Sequence, residues 1–557
     1  MSFKLTRRSV IGAGATAGVL LATGARADDL STLPAAPFVE TKTTAGRVRG
    51  GTARGALSFK GIPYAGSVSG MGRFKAPPPV VPWSGVRDAL SLGAPTMQAP
   101  HQTYGDHEPA MDEDCLYLNV WTPAVDGKAR PVLVYLHGGG YSTGSAGSPT
   151  QDGGRMAARY DMVVVAPNHR LGLLGFLWLG DAAGADYATS GNAGMYDMIA
   201  ALQWVRDNIA SFGGDPSNVT ICGESGGGAK VGTLMGMPAA KGLFHKAGIS
   251  SGAQLRRMPR AVAAETTQRL LRALDITDPN KLIDVPAQTL LELQWAGEKG
   301  QGGLSVPVGG FGPPDHAVMP ISFSESTLPG HFGPVVDGMG LPADPFDPAA
   351  TSLSADIPLF IGNNRTESSF FYQGQPEVYA LDDAGLAARL QTDFGDRAND
   401  ILPVYRGLYP QAAPTELYLL ITTARTMGHE TVVLADRKAQ QGAPVYRYRW
   451  DYASNRPIAG TQATLGAGHA TDIGPMFDNW DETGLHGDGP GVRQASENLS
   501  AAWASFARTG APAMPGAPAW PRYDTTARPV MTVDVRCAVV DDPDAAARAV
   551  WDRVGGY

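Results

Sequence analysis

The stretch that most constrains this chain is Asn218-Val-Thr-Ile-Cys-Gly-Glu-Ser-Gly-Gly-Gly-Ala-Lys230. A β-branched run, Val219 to Ile221, enters a glycine-framed Ser225, and a helix-compatible segment leaves through Ala229, Leu234 and Met235. Strand, sharp turn and helix in that order place the serine in a strained backbone, with neighbours too close for a side chain at Gly223 and Gly227. Such a turn lifts the hydroxyl above the sheet edge as a nucleophile. The pattern Gly-x-Ser-x-Gly does not by itself choose Ser225, because a chain with 70 glycines carries it three times. Gly140-Tyr-Ser142-Thr-Gly144 runs on into loop composition, and Gly248-Ile-Ser250-Ser-Gly252 has no helical start until about Pro259. Only Ser225 has both flanks.

The 557 residues, 43% of them hydrophobic, supply a large core. A net charge of −8 without a long basic run argues against nucleic acid and against an anionic membrane surface as partners. Residues 1–27 read as a cleaved export signal. Lys4, Arg7 and Arg8 form a positive start, Val10 to Gly24 is a weakly apolar run, and Ala25-Arg-Ala27 is a small-x-small cleavage site. The run is too short to span a bilayer, so no stable membrane insertion is expected. Thr6-Arg7-Arg8-Ser9-Val10-Ile11 resembles a twin-arginine signal, with a general secretory signal as the alternative, and either predicts a periplasmic or secreted product. Three cysteines, Cys115, Cys222 and Cys537, are too few and too widely spaced for a disulfide scaffold, and no close Cys/His cluster suggests a metal.

Along the rest of the chain, Val39 to Gly51 and Leu57 to Tyr64 alternate like a small meander. Continuous apolar runs at Pro131 to Leu136 and Met162 to Pro167 predict strands buried on both faces, with a strand at Leu116 to Trp121 beside them. Ile199, Leu202, Val205 and Ile209 lie at helical spacing between Gly194 and Ala210. Later strands are predicted at Ile357 to Gly362, Pro444 to Trp450 and Val530 to Val535, the last closing the chain. Helices are predicted at Arg260 to Asp275, Ala287 to Gly300, within Asp382 to Gln440, and at Val492 to Arg508. Strands alternating with helices predict an α/β fold: one large, mostly parallel sheet flanked by helices, forming a single domain over 28–557 with helical excursions over the site.

A serine hydroxyl needs a base to take its proton, and the base needs a third group to fix its tautomer. In hydrolases of this sheet type the order along the chain is serine, acid, histidine. That order leaves His245, His316, His331, His429, His469 and His486. His245 and His429 read as helical, and His316 and His331 lie in the excursion. His469, in the small-residue loop Gly466-Ala-Gly-His-Ala-Thr after the strand ending at Trp450, is favoured, with His486 as its rival. The acid is expected just past a strand end, and Glu367 in Ile361-Gly-Asn-Asn-Arg-Thr-Glu367 supplies it; Asp337 is the alternative, though a turn-forming aspartate explains it. His137-Gly138-Gly139-Gly140 follows the strand at 131–136, and consecutive glycines let backbone N–H groups meet on one oxygen, as a developing oxyanion requires.

With these residues in view the chain resembles a type-B carboxylesterase, the family that also contains cholinesterases, within the α/β-hydrolase fold. The resemblance spans nearly all of residues 38–535. It rests on Phe59-Lys-Gly-Ile-Pro-Tyr64, Glu113-Asp-Cys-Leu-Tyr-Leu-Asn-Val120, Asn168-His-Arg-Leu-Gly172, Gly191-Asn-Ala-Gly-Met-Tyr-Asp197, Phe212-Gly-Gly-Asp-Pro216 and Ala504-Ser-Phe-Ala-Arg-Thr-Gly510. It implies a triad of Ser225, Glu367 and His469, an oxyanion hole from the N–H groups of Gly139, Gly140 and Gly226, and buried ion pairs of Arg73 with Glu113 and Arg170 with Asp197. The chain departs from the family in three places. Gly226 stands where alanine is common, which implies more backbone freedom; Cys115 lacks an upstream partner; and Arg365-Thr-Glu367-Ser replaces a common Asp-Glu-Gly. The expectation is a cofactor-free hydrolase of apolar small-molecule esters working through an acyl-enzyme. An amidase or lactonase with the same triad, or a non-catalytic binding module on this fold, are the alternatives. Phe311, Met319, Phe370, Phe371 and Tyr372 are candidate pocket residues.

Overall fold

A computed structural model of the chain describes residues 38–98, 108–298 and 330–554. The expected export signal, His316, Phe311, Met319 and the loop from 302 to 320 lie outside the described residues. Among the described residues thirteen strands form one sheet. In chain order they are β1 (Val39–Lys42), β2 (Arg47–Ala53), β3 (Ala56–Pro63), β4 (Val86–Asp88), β5 (Tyr117–Thr122), β6 (Arg130–Leu136), β7 (Val163–Pro167), β8 (Gly214–Glu224), β9 (Lys246–Ser250), β10 (Leu359–Asn364), β11 (Val445–Trp450), β12 (Pro529–Val533) and β13 (Ala538–Asp541). Across the sheet they lie as β1-β2-β3-β5-β7-β6-β8-β9-β10-β11-β12-β13, with β4 beside β2. Every pairing from β7 to β12 is parallel, and the strands outside that block pair antiparallel save β4 with β2.

The parallel block is covered on both sides, which is why its strands read as unbroken apolar runs. Alternation along each strand divides the side chains between two cores. Val132, Val134, Leu136, Val163 and Val165 face the helix α1 (Ala193–Asn208), whose Met198, Leu202 and Val205 pack into the same cluster. Leu133, Tyr135, Val164 and Cys222 face the other way, towards Leu499, Trp503 and Phe506 of the helix Val492–Thr509. Cys222 is buried, and none of Cys115, Cys222 and Cys537 is in a disulfide. The nucleophile candidate follows β8, which lies between β6 and β9 with Tyr135 opposite Cys222 and Cys222 opposite Gly248.

The C-terminus differs from the sequence reading. The strand near Val530 does not close the chain; β13 folds back on β12, and the helix Ala545–Val554 buries Ala547, Val550 and Trp551. Its amphipathic pattern is short and follows an Asp-Asp-Pro-Asp turn, so local periodicity gave little to read. Strand β4 was also missed, because three exposed residues after a proline-rich loop form a strand only through pairing with β2.

Both expected ion pairs form. Arg170 Nε and Nη2 reach Asp197 Oδ2 and Oδ1 at 2.8 and 2.6 Å, and Arg170 N–H adds a third bond to the same carboxylate at 3.0 Å. Arg73 grips Glu113 with two bonds of 2.5 and 2.6 Å. The Asp197 side chain is fully inaccessible, so removing its partner leaves a buried charge. Arg170→Met is expected to lower the unfolding free energy by about 3–5 kcal/mol, measured by urea denaturation; a loss below about 1 kcal/mol would show that the pair is not what holds this region.

Candidate active site

Ser225 sits between β8 and the helix α2 (Gly226–Leu234), with φ 58° and ψ −128°. That region is nearly closed to residues with a side chain. The packing holds it there: Ser225 N–H donates to the Ser250 carbonyl at 2.9 Å, and α2 presses against the end of β6. A Cβ on Gly227 would lie 2.0 Å from the Leu136 carbonyl oxygen, so only glycine allows the contact.

Three chain segments far apart in sequence meet at the serine. Ser225 Oγ lies 2.8 Å from His469 Nε2, and His469 Nδ1 lies 2.7 Å from Glu367 Oε2. Glu367 follows β10, and its second oxygen accepts the Ser251 hydroxyl and the Asn364 N–H, both at 2.6 Å. The loop carrying His469 is tied to the same place, since His469 N–H donates to the Glu367 carbonyl at 3.1 Å and Asn364 Nδ2 donates to the Gly468 carbonyl at 2.7 Å. The rings of Phe370 and Phe371 stand 5.8 and 5.0 Å from the imidazole.

Two further buried carboxylates surround this histidine, and neither was read from the sequence. Glu224 Oε1 is 3.3 Å from His469 Nε2, and Asp472 accepts the Ser250 hydroxyl at 2.6 Å. Burial raises the carboxyl pKa of both above the usual range. For His469, burial acts to lower the pKa, but the charges of Glu224 and Glu367 outweigh it and hold the imidazole above its ordinary value. Adjacency was the available signal: Glu224 precedes the serine, Ser251 lies inside the third Gly-x-Ser-x-Gly match, and Asp472 follows His469 by three.

The glycine loop after β6 lies over α2. Gly139 and Gly140 have φ of 83° and 61°, which glycine adopts freely. A Cβ on Gly226 would fall 2.2 Å from the Gly140 carbonyl oxygen. Gly226 therefore also provides close approach between loop and helix. Tyr372 is also corrected: it is fully buried and packs on Tyr418 within a hydrophobic core cluster.

The rival residues have other duties. Asp337 accepts the N–H groups of Met339 and Leu341 at 2.8 and 3.0 Å, as a turn former does. His486 Nε2 bonds the Trp480 carbonyl. His245 is not helical; it lies ahead of β9 and accepts the Val219 N–H. Ser250 ends β9, bonded to Asp472, and Ser142 lies in the glycine loop. Among the described residues no group of three His, Cys, Asp or Glu side chains is placed to hold a metal, and no helix is long and apolar enough to cross a membrane.

A serine on a strand-to-helix turn, bonded to histidine and a buried carboxylate at the end of a doubly covered parallel sheet, is the architecture of an α/β-hydrolase. The chain belongs to the carboxylesterase family, whose sequence model matches residues 35–551. It is a serine carboxylic-ester hydrolase. It is 34% identical to the para-nitrobenzyl esterase of Bacillus subtilis (strain 168), over 91% of this chain and 97% of that one. It is 33% identical to the phenmedipham hydrolase of Pseudarthrobacter oxydans, over 86% of this chain and 92% of that one. A crystal structure of a Geobacillus stearothermophilus carboxylesterase superposes with a TM-score of 0.75 at 36% identity, covering 92% of this chain and 99% of the other.

The electrostatics give a test. Removing the Glu224 charge takes an anion away from Nε2, so in Glu224→Gln the His469 pKa is expected to fall. The neutral imidazole then persists to lower pH, and the acid limb of the kcat/KM profile moves down with it. NMR titration of the ring alongside that profile checks both; an unmoved ring pKa would mean that Glu224 carries no charge over that range.

Proposed function

We propose that Ser225 is the nucleophile, His469 the general base and acid, and Glu367 the group that orients the imidazole, with the N–H groups of Gly139, Gly140 and Gly226 as the oxyanion hole. The observation that carries the reading is the unbroken chain of hydrogen bonds from Ser225 Oγ through His469 to Glu367, at 2.8 and 2.7 Å. Ser225 attacks the ester carbonyl as its proton passes to Nε2. Nδ1 stays bonded to Glu367, which keeps the tautomer right for that transfer and steadies the imidazolium. The carbonyl oxygen gains charge against the glycine N–H groups, each such donor being worth about 3 to 4 kcal/mol in the transition state. The alcohol leaves with the proton from Nε2; water then repeats the sequence on the acyl-enzyme.

We infer an apolar ester as substrate, supported by Phe370 and Phe371 beside the imidazole and by the aromatic ester in the name of the Bacillus relative. Hydrolysis of para-nitrophenyl acetate, butyrate and decanoate tests both parts. Ser225→Ala is expected to lose more than about 10⁴-fold in kcat, and the chain-length preference sizes the acyl pocket. Equal activity in mutant and wild type would remove Ser225 from the mechanism.

Export is a separate reading, supported by Lys4, Arg7 and Arg8, the apolar run after them and Ala25-Arg-Ala27. A mature N-terminus at Asp28 in the periplasmic fraction is the expected result, with Arg7→Lys and Arg8→Lys together holding the chain in the cytoplasm. Export of the double variant at the wild-type rate would point to the general secretory route.

A further inference from the structure

Lys230 lies on α2, five residues after Ser225, with 0% exposure. The proposed chemistry makes no use of it. Its Nζ donates to the carbonyl of His137 at 2.9 Å. Lysine is rarely buried to this degree without an anionic partner, and burial pushes its amine well below the ordinary lysine range. Among the described residues its hydrogen-bond acceptor is a neutral carbonyl, and burial alone accounts for its shift. His137 and His169 stack with centroids 4.6 Å apart, and burial pushes both imidazoles well below their ordinary value. What this lysine offers is a long apolar stem ending in a directed N–H.

The acceptor is informative. His137 is the root of the glycine loop, and Gly139 and Gly140 have φ values that side chains do not enforce. The far side of the loop is anchored to neighbouring loops, by Gly172 N–H on the Tyr141 carbonyl and by Gly144 N–H on Gln98 Oε1, each at 2.6 Å. The near side is joined to α2 by Lys230. An oxyanion hole built from two segments depends on the relation between them. Here one segment is the loop and the other is the start of α2, where Gly226 lies against Gly140.

We propose that Lys230 is a positioning residue for the oxyanion hole: by tying the His137 carbonyl to α2 it sets where the N–H groups of Gly139 and Gly140 stand relative to that of Gly226. This rests on the assignment of those three donors under the proposed function.

The test uses the full chain with Lys230→Met, which keeps the apolar stem and removes the donor. The substrate is para-nitrophenyl butyrate, and the probe is an alkyl trifluoromethyl ketone. Ser225 Oγ adds to the ketone carbonyl, giving a hemiketal whose oxygen mimics the oxyanion without a leaving group. The expected result is a fall in kcat of about 10-fold or more with KM little changed, and a loss of ketone affinity matching the loss in kcat/KM. A structural role alone lowers the melting temperature and the fraction of active sites, and leaves kcat per titrated site and ketone affinity at wild-type values; that result overturns the proposal. If Lys230→Met does not fold, the wild-type ketone adduct decides by crystallography. The hemiketal oxygen on Gly139 and Gly140 with the Lys230–His137 bond intact supports the proposal, and the same oxygen position with that bond broken overturns it. An oxygen held elsewhere overturns the assignment of the hole itself.

Discussion

At Ser225 the backbone is held at φ 58° and ψ −128°, a conformation that costs a residue with a side chain about 1–3 kcal/mol. The surroundings keep it there. The serine N–H is taken by the Ser250 carbonyl at the end of β9, and the helix that follows is packed against the Leu136 carbonyl at the end of β6. A Cβ on Gly252 would lie 2.1 Å from the Ser225 carbonyl oxygen, so the turn is closed on that side as well. The neighbouring strands of the parallel block thus supply both the position of Ser225 and the restraint on its backbone, which is why the site lies at the strand ends.

The charges around His469 follow from burial. Where the sheet needs a charge held in its interior, it pairs it: Asp197 receives three hydrogen bonds from Arg170. Around the histidine the balance is different. Glu367 is satisfied by Ser251, Asn364 and the imidazole itself, while Glu224 and Asp472 add further buried carboxylates. The anionic groups around the imidazole favour its charged form.

Much of this architecture was legible in the sequence. The runs at 131–136 and 162–167 matched β6 and β7 because strands buried on both faces must be apolar throughout. Periodicity found α1 because one face of it packs on the sheet. Where local pattern and tertiary need diverge, the reading failed. β4 exists through its pairing with β2, the terminal helix is too short to announce itself, and Tyr372 looked like a wall residue although its ring is core.

Residue chemistry and spacing alone were enough to name the serine turn, the glycine loop, and a histidine and a glutamate beyond later strands, because each needs a residue type that few other positions tolerate. They left open which of several histidines and acids join the serine, since a distance across 244 or 102 residues of chain is a property of the packed sheet. The same holds for the burial that raises Glu224, for the contact that requires glycine at 226, and for the lysine beneath the loop. Desolvation and close approach arise only when segments meet, and no local pattern encodes them.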